Sequence, residues 1–130
     1  MTPTAETSRR RRALRGATAH RSGLAAETDV ARHYALRGHD LAEERWRGQS
    51  GEIDLIMRDG DGLVFVEVKR ARSLHAAAHR LGPRQLRRLF AAGEEYLATE
   101  HFGLDTPVRF DLALVGAAGE LEVIENITLH

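Results

Sequence analysis

The residues whose types and spacing suit phosphodiester hydrolysis are Asp54, Glu67 and Lys69. The run Leu63-Val64-Phe65-Val66-Glu67-Val68-Lys69 has the alternation of a β-strand. Alternate side chains share a face, so Glu67 and Lys69 point one way, and Val64, Val66 and Val68 point the other and read as core. The run Glu52 to Met57 precedes it, separated by Arg58-Asp59-Gly60-Asp61-Gly62, a strong hairpin turn signal. With that turn centred between Gly60 and Asp61, antiparallel register sets Asp54 opposite Glu67 and Glu52 opposite Lys69 on one polar face.

Such a face carries an electrostatic problem. Two carboxylates about 5 Å apart at an effective dielectric near 20 repel by on the order of 3 kcal/mol, a large fraction of a domain's net stability. Either one acid keeps its proton or a cation sits between them. A divalent ion is the more productive answer. Magnesium favours one or two carboxylates completed by waters and phosphate oxygens, and there it polarises a phosphoryl group and acidifies a bound water. The other reading keeps both acids as exposed charges on the wet face of a sheet, with Glu52 and Lys69 an ordinary cross-strand pair; a single Glu-x-Lys step does not decide between them.

Lys69 is the only lysine among 19 basic residues, the rest being arginine. An ammonium is a compact point charge whose pKa moves on burial, whereas guanidinium is planar and permanently charged. Its place beside Glu67 suits it to orient a water or to neutralise a pentavalent transition state.

Other groups are candidates with bland alternatives beside them. Glu27 falls on or next to the apolar stripe of a first helix, either as a third site carboxylate or as the partner of an arginine at the core edge. His75 and His79 have a one-turn helical spacing but no evident acidic third ligand. Arg70, Arg72, Arg80, Arg84, Arg87 and Arg88 follow the site and either contact a phosphate backbone or form a solvated helix face. Arg109 and Asp111 share a strand face and suit a structural pair.

Regular elements must hold these groups. Leu24, Val30, Ala31 and Tyr34 repeat at helical spacing from Leu24 to Arg37, with Ser22 as N-cap and Gly38 as stop. Leu41 to Arg47 is a weaker strand, then comes the hairpin. Ser73 to Leu81 reads as a loop or loose helical turn. A second helix starts at Pro83 and runs through Leu86, Leu89, Phe90, Gly93 and Leu97. Val108, Phe110, Leu112 and Leu114 make a strand, and Leu121 to Ile127 a last one. The fold class is α/β: a mixed central sheet in the order αβββαβ plus a last strand, flanked by helices.

The chain has 130 residues, enough for one core and too few for two. Arg9, Arg10, Arg11, Arg12, Arg15 and Arg21 face only Glu6, so residues 1–21 read as a flexible basic arm preceding a single domain over residues 22–130. The net charge of zero therefore leaves the body mildly acidic. No apolar run approaches the roughly 20 residues of a membrane span, and no apolar signal core of about 7 to 15 residues follows the arginines, which points to the cytoplasm. Cysteine is absent, so any metal must take oxygen or imidazole ligands.

The runs Gly51-Glu52-Ile53-Asp54-Leu55-Ile56 and Leu63 to Lys69, with Glu27, Arg109-Phe110-Asp111 and Ile124-Glu125-Asn126, resemble the YraN-like family of uncharacterised bacterial proteins. The resemblance covers about residues 22 to 127. It implies a restriction-endonuclease-like fold of the PD-(D/E)xK class, similar to Holliday-junction resolvases. It further implies Asp54 and Glu67 as acids binding Mg2+ or Mn2+, the Val68 carbonyl as an extra ligand, Lys69 as catalytic lysine and Glu27 as the first-helix glutamate of the resolvase-like branch. The expected activity is endonucleolytic cleavage of DNA, branched DNA included, with Arg70, Arg72, Arg84 and Arg87 on the nucleic acid and a homodimer as the working form. Ala71 and Gln85 depart from the family's usual arginine and lysine, and the Ser73 to Gly82 loop is short and lacks a Phe-Gly element. These departures keep open a second reading, a nuclease fold that no longer cuts and instead holds nucleic acid or a protein partner.

Overall fold

The computed structural model describes residues 23–127. The basic arm and the Ser22 cap expected from the sequence lie outside the described residues. Residues 23–35 are helical (α1), and strands β1 (Asp40–Arg47), β2 (Glu52–Asp59) and β3 (Gly62–Arg70) follow. A short helix α2 (Leu74–Ala78) and a long one, α3 (Pro83–Leu97), lead through a 3-10 turn at Gly103–Asp105 to β4 (Val108–Val115) and β5 (Leu121–Ile124).

The five strands form one sheet in the order β1-β2-β3-β4-β5. Only β3 and β4 run parallel, so the sheet is mixed, and the crossover between them carries α2 and α3. This is an α/β architecture compatible with a restriction-endonuclease-like fold. No helix among the described residues is long and apolar enough to cross a membrane.

Each face of the sheet has its own core. On one side Ala26, Val30 and Tyr34 of α1 pack on Leu55, Met57, Val64, Val66, Ala113 and Val115. On the other, Leu89, Ala92, Tyr96 and Leu97 of α3 cover Ile53, Ile56, Leu63 and Phe65, and α2 buries Ala77 against Leu112 and Leu114. The Glu67 face of β3 is thus not a wet polar face. Its first half is fully buried, and only the end bearing Glu67 and Lys69 emerges from under α3. The crossover makes the difference, because a connection between parallel strands lays its helix over the sheet.

Local chemistry explains the element ends. Gly38 takes φ +88° just after α1, the left-handed conformation glycine tolerates at a helix terminus. The segment expected as a loop or loose helical turn holds the short helix α2, which the Ser73 side chain caps, accepting from Ala76 N at 3.1 Å. Pro83 stands at the start of α3, as anticipated. The last strand stops at Ile124 rather than Ile127, since Asn126 adopts φ 56° and the chain turns so that Ile127 N donates to Phe110 O at 2.7 Å.

Candidate active site

The hairpin has the register read from its turn: Asp59 pairs with Gly62 and Leu55 with Val66. Asp54 and Glu67 are the next positions along, but the ladder stops before them. Asp54 reaches β3 with its side chain instead, Oδ2 accepting the Val68 backbone N–H at 2.7 Å. On its other side the β1–β2 ladder passes from Glu44–Leu55 to Trp46–Ile53 and skips Arg45 and Asp54. Strict alternation would put Ile53 and Leu55 on one face, yet Ile53 joins the α3 core and Leu55 the α1 core. The strand changes phase at Asp54, which frees its carboxylate to face the partly open end of the sheet.

There the charges cluster. Lys69 Nζ lies 3.0 Å from Glu67 Oε1, and both side chains are largely buried. Burial, and then the neighbouring Asp54 charge, push the Glu67 carboxyl up to about 7, with Lys69 pulling the other way. Burial also raises Asp54, opposed by the Val68 N–H and by Lys69. Two buried acids that resist ionising together form a site with an affinity for a proton or a cation. The Gln85 amide, turned so that both its ends are satisfied, accepts from Lys69 Nζ at 3.0 Å and donates to the Arg80 carbonyl at 3.1 Å. A pocket of about 230 Å³ opens here, lined by Glu52, Asp54, Glu67, Gln85, Arg88 and Leu89.

Several expectations for individual residues are settled. Glu52 does not pair with Lys69; its partner is Arg47 on β1, at 3.2 Å, because Lys69 is drawn to Glu67 and Gln85. Glu27 takes the second of the two roles open to it, as the partner of an arginine. Burial and then the Asp54 charge raise its pKa, while Arg45 Nη1 donates to its Oε2 at 3.0 Å. Arg109 and Asp111 form the anticipated pair through two 2.9 Å hydrogen bonds. His75 and His79 stack edge to face at 4.7 Å, and among the described residues no three His, Asp or Glu side chains converge as a complete metal cage. Arg70, Arg72, Arg84 and Arg87 are exposed around the start of α3 and the end of β3, and among the described residues none of them has a carboxylate within 4.0 Å.

Two contributors, Arg45 and Glu95, were not visible as site residues in the sequence, and neither was the role of Gln85, noted there only as a departure. Arg45 lies across β2 from Asp54 only once the bulge near Ala42 fixes the β1 register. Gln85 reaches Lys69 only when α3 docks. Glu95 of α3 accepts the backbone N–H groups of Gln49 at 2.8 Å and Ser50 at 3.0 Å, pinning the β1–β2 turn beside the pocket. Partners on separate elements leave no local signal in the sequence for any of this.

A larger groove of about 570 Å³ lies elsewhere, lined by Phe90, Glu94, Leu97, Leu104, Val108, Phe110, Asn126 and Ile127. Its single carboxylate has no acid, base or cation beside it in that lining, so the smaller pocket is the one equipped for chemistry.

A mixed five-stranded sheet with helices on both faces makes this an α/β protein compatible with the restriction-endonuclease-like architectural class. The model of Uncharacterised protein family UPF0102 matches residues 26–115, and the chain belongs to that family, the YraN-like proteins. It is 53% identical over 118 residues to a UPF0102 protein of Ruegeria pomeroyi, covering 91% of this chain and 96% of the relative. A UPF0102 protein of Roseobacter denitrificans is 50% identical, over 85% of this chain and 86% of its own, and one of Cereibacter sphaeroides is 48% identical, over 87% and 97%.

Proposed function

We propose that this chain is a divalent-metal-dependent nuclease that hydrolyses phosphodiester bonds in DNA, branched DNA included. The observation that carries the reading is the placing of the Asp54 and Glu67 carboxyls side by side, both raised in pKa, with the Lys69 ammonium 3.0 Å from Glu67. Hard carboxylate oxygens in this number suit Mg2+ or Mn2+, which complete their shells with water and substrate oxygens. Asp54 and Glu67 would hold the ion, with the Val68 carbonyl as a further donor. When bound, such an ion supplies Lewis acidity at the phosphoryl group and a more acidic water.

The protein's own residues do the rest. Asp54 is oriented by the Val68 N–H, which leaves the remainder of its carboxylate for a ligand. Lys69, held between Glu67 and Gln85, presents an ammonium whose position is fixed from two sides. With Glu67 engaged by an ion, that ammonium would be available to orient the attacking water or to neutralise charge developing on the phosphate. Gln85 can keep hold of Lys69, though as a neutral group it brings no charge to the phosphate. Arg84, Arg87, Arg70 and Arg72 supply a basic rim that would grip the backbone without reading sequence.

Magnesium- or manganese-dependent cleavage that vanishes in Asp54→Ala and in Lys69→Met is the expected result. No cleavage of duplex, single-stranded or branched DNA by the intact chain would count against it. The second reading, a binding module without turnover, is favoured by the exposed basic rim and by Ala71 and Gln85 where arginine and lysine are usual. Calorimetry separates the two: magnesium heat lost on changing Asp54 or Glu67 supports the enzyme, while salt-sensitive DNA binding indifferent to both supports the module.

A further inference from the structure

Helix α3 borders both the acidic pocket and the apolar groove, and its residues divide between them by angle. Successive helical residues are set about 100° apart. Leu89, Ala92 and Tyr96 form the buried stripe; Phe90 and Glu94 fall to one side of it and line the groove, while Gln85 and Arg88 fall to the other and line the pocket. Arg84 and Arg87 lie on the outward side of the helix and line neither cavity. Of the six arginines that follow Lys69 as far as mid-α3, only Arg88 stands in the pocket wall.

The root of that side chain is held in place. A Cβ built on Gly51 would lie 3.8 Å from Arg88 Cβ and 3.7 Å from its carbonyl oxygen, ordinary packing distances, so Arg88 rests against the residue that precedes Glu52 on β2. Its outer part is uncommitted. The residue is exposed, and among the described residues no carboxylate lies within 4.0 Å of its guanidinium, although it shares the pocket with Glu52, Asp54 and Glu67. Glu52 has Arg47 as its cation and Glu67 has Lys69. The pocket therefore combines acids that already have cations with one guanidinium left open to an anion.

We propose that Arg88 is a catalytic residue: its guanidinium receives the oxygens of the phosphodiester to be cut, from the α3 wall of the pocket, across from the carboxylates of β2 and β3. This rests on the reading of Asp54 and Glu67 as holders of a divalent ion. A phosphodiester shares its charge between two non-bridging oxygens, and a guanidinium matches such a pair with two parallel N–H donors at fixed spacing. It also stays charged at any working pH. Donors set in the pocket wall act where the phosphate reacts, whereas Arg70, Arg72, Arg84 and Arg87, outside the pocket, meet neighbouring phosphates along the strand. Turnover and affinity are thereby assigned to different arginines.

A thymidine dinucleotide carries one phosphodiester and so reports on the pocket rather than on the rim. Its binding to the full chain in saturating manganese is followed by calorimetry, after manganese uptake has been measured alone. Arg88→Ala should weaken the dinucleotide about tenfold or more, Arg88→Lys should recover part of that loss, and Arg87→Ala should change affinity less than about twofold. Manganese alone should bind Arg88→Ala at least as tightly as wild type, because a positive charge has left an acidic pocket. On longer DNA, kcat should fall about a hundredfold in Arg88→Ala with KM within about threefold, whereas Arg87→Ala should act on KM. Wild-type dinucleotide affinity in Arg88→Ala, with manganese uptake still dependent on Asp54, overturns the inference and leaves the metal site standing. A rise in KM at unchanged kcat does the same, since it makes Arg88 one more rim contact, and so does a manganese-loaded wild type that binds no dinucleotide. Manganese uptake that is absent, or indifferent to Asp54→Asn, overturns the inference and the metal-site reading together.

Discussion

Asp54 and Val68 are joined by a hydrogen bond in which the carboxylate of one accepts the backbone N–H of the other at 2.7 Å. A side chain on β2 thereby takes the place of a rung in the β2–β3 ladder, which ends at Leu55–Val66. The same bond has two consequences. It satisfies a backbone donor that would otherwise be lost where the strands part, and it orients an acid that burial alone would drive to hold a proton.

Those two roles can be separated by substitution. Asp54→Asn keeps an oxygen acceptor for Val68 and should melt close to wild type. Asp54→Ala leaves the N–H unpaired and should lose about 1 to 3 kcal/mol in urea unfolding. Both should reduce cleavage by at least about a hundredfold, because both remove the charge. Equal stability of the two variants would contradict the structural role.

Glu67 predicts the pH dependence of stability. Burial and the Asp54 charge push its carboxyl from the ordinary 4.5 up to about 7, so the folded state binds the proton more tightly than the unfolded state. That contribution is complete below about pH 4.5 and is lost as pH rises through about 7. The metal-free protein should therefore lose stability across this window, and excess magnesium should restore it, raising Tm little at about pH 5 and clearly at about pH 8. Glu67→Gln should flatten this component of both profiles. A magnesium effect of the same size at both pH values would argue against the assignment.

The buried Asp111 carboxylate ties three segments together. Its oxygens accept from Tyr34 Oη at 2.6 Å, from the Arg109 guanidinium in two bonds and from Asn126 N at 3.0 Å. Tyr34→Phe removes one of several donors and should cost about 1.5 to 3 kcal/mol. Arg109→Ala removes the countercharge of a fully buried acid and should cost more, on the order of 3 to 5 kcal/mol before any relief from its partly exposed position. Chemical denaturation ranks the two, and the reverse order would show that Asp111 is carried by the phenol rather than by the ion pair.

Gly93 lets α3 lie close against the aromatic rings of the sheet. A Cβ built there would lie 2.7 Å from Phe110 Cζ and 3.3 Å from Phe65 Cδ2, both atoms of packed rings. Gly93→Ala should therefore destabilise by about 1 to 3 kcal/mol despite alanine's better helix propensity. Because the strain falls beneath the helix that carries Gln85 and Arg88, metal affinity should fall with it. A stabilised variant would mean that the rings move aside freely.

The sequence by itself determined the features that depend on near neighbours. Alternation over Leu63 to Lys69 puts Glu67 and Lys69 on one face, and the short Gly60-Asp61 turn fixes the register that brings Asp54 toward Glu67. Helical spacing marks Val30 and Tyr34 as the buried side of α1, and Pro83 marks the start of α3. Tertiary structure alone decided the partner of each charge: Glu27 with Arg45, Glu52 with Arg47, Lys69 with Glu67 and Gln85. It also decided that both faces of β3 are covered and that the ladder parts at Asp54. Periodicity and turn chemistry act over a few residues, whereas a charge pairs with whatever opposite charge packing delivers within a few ångströms, and that depends on how separate elements dock.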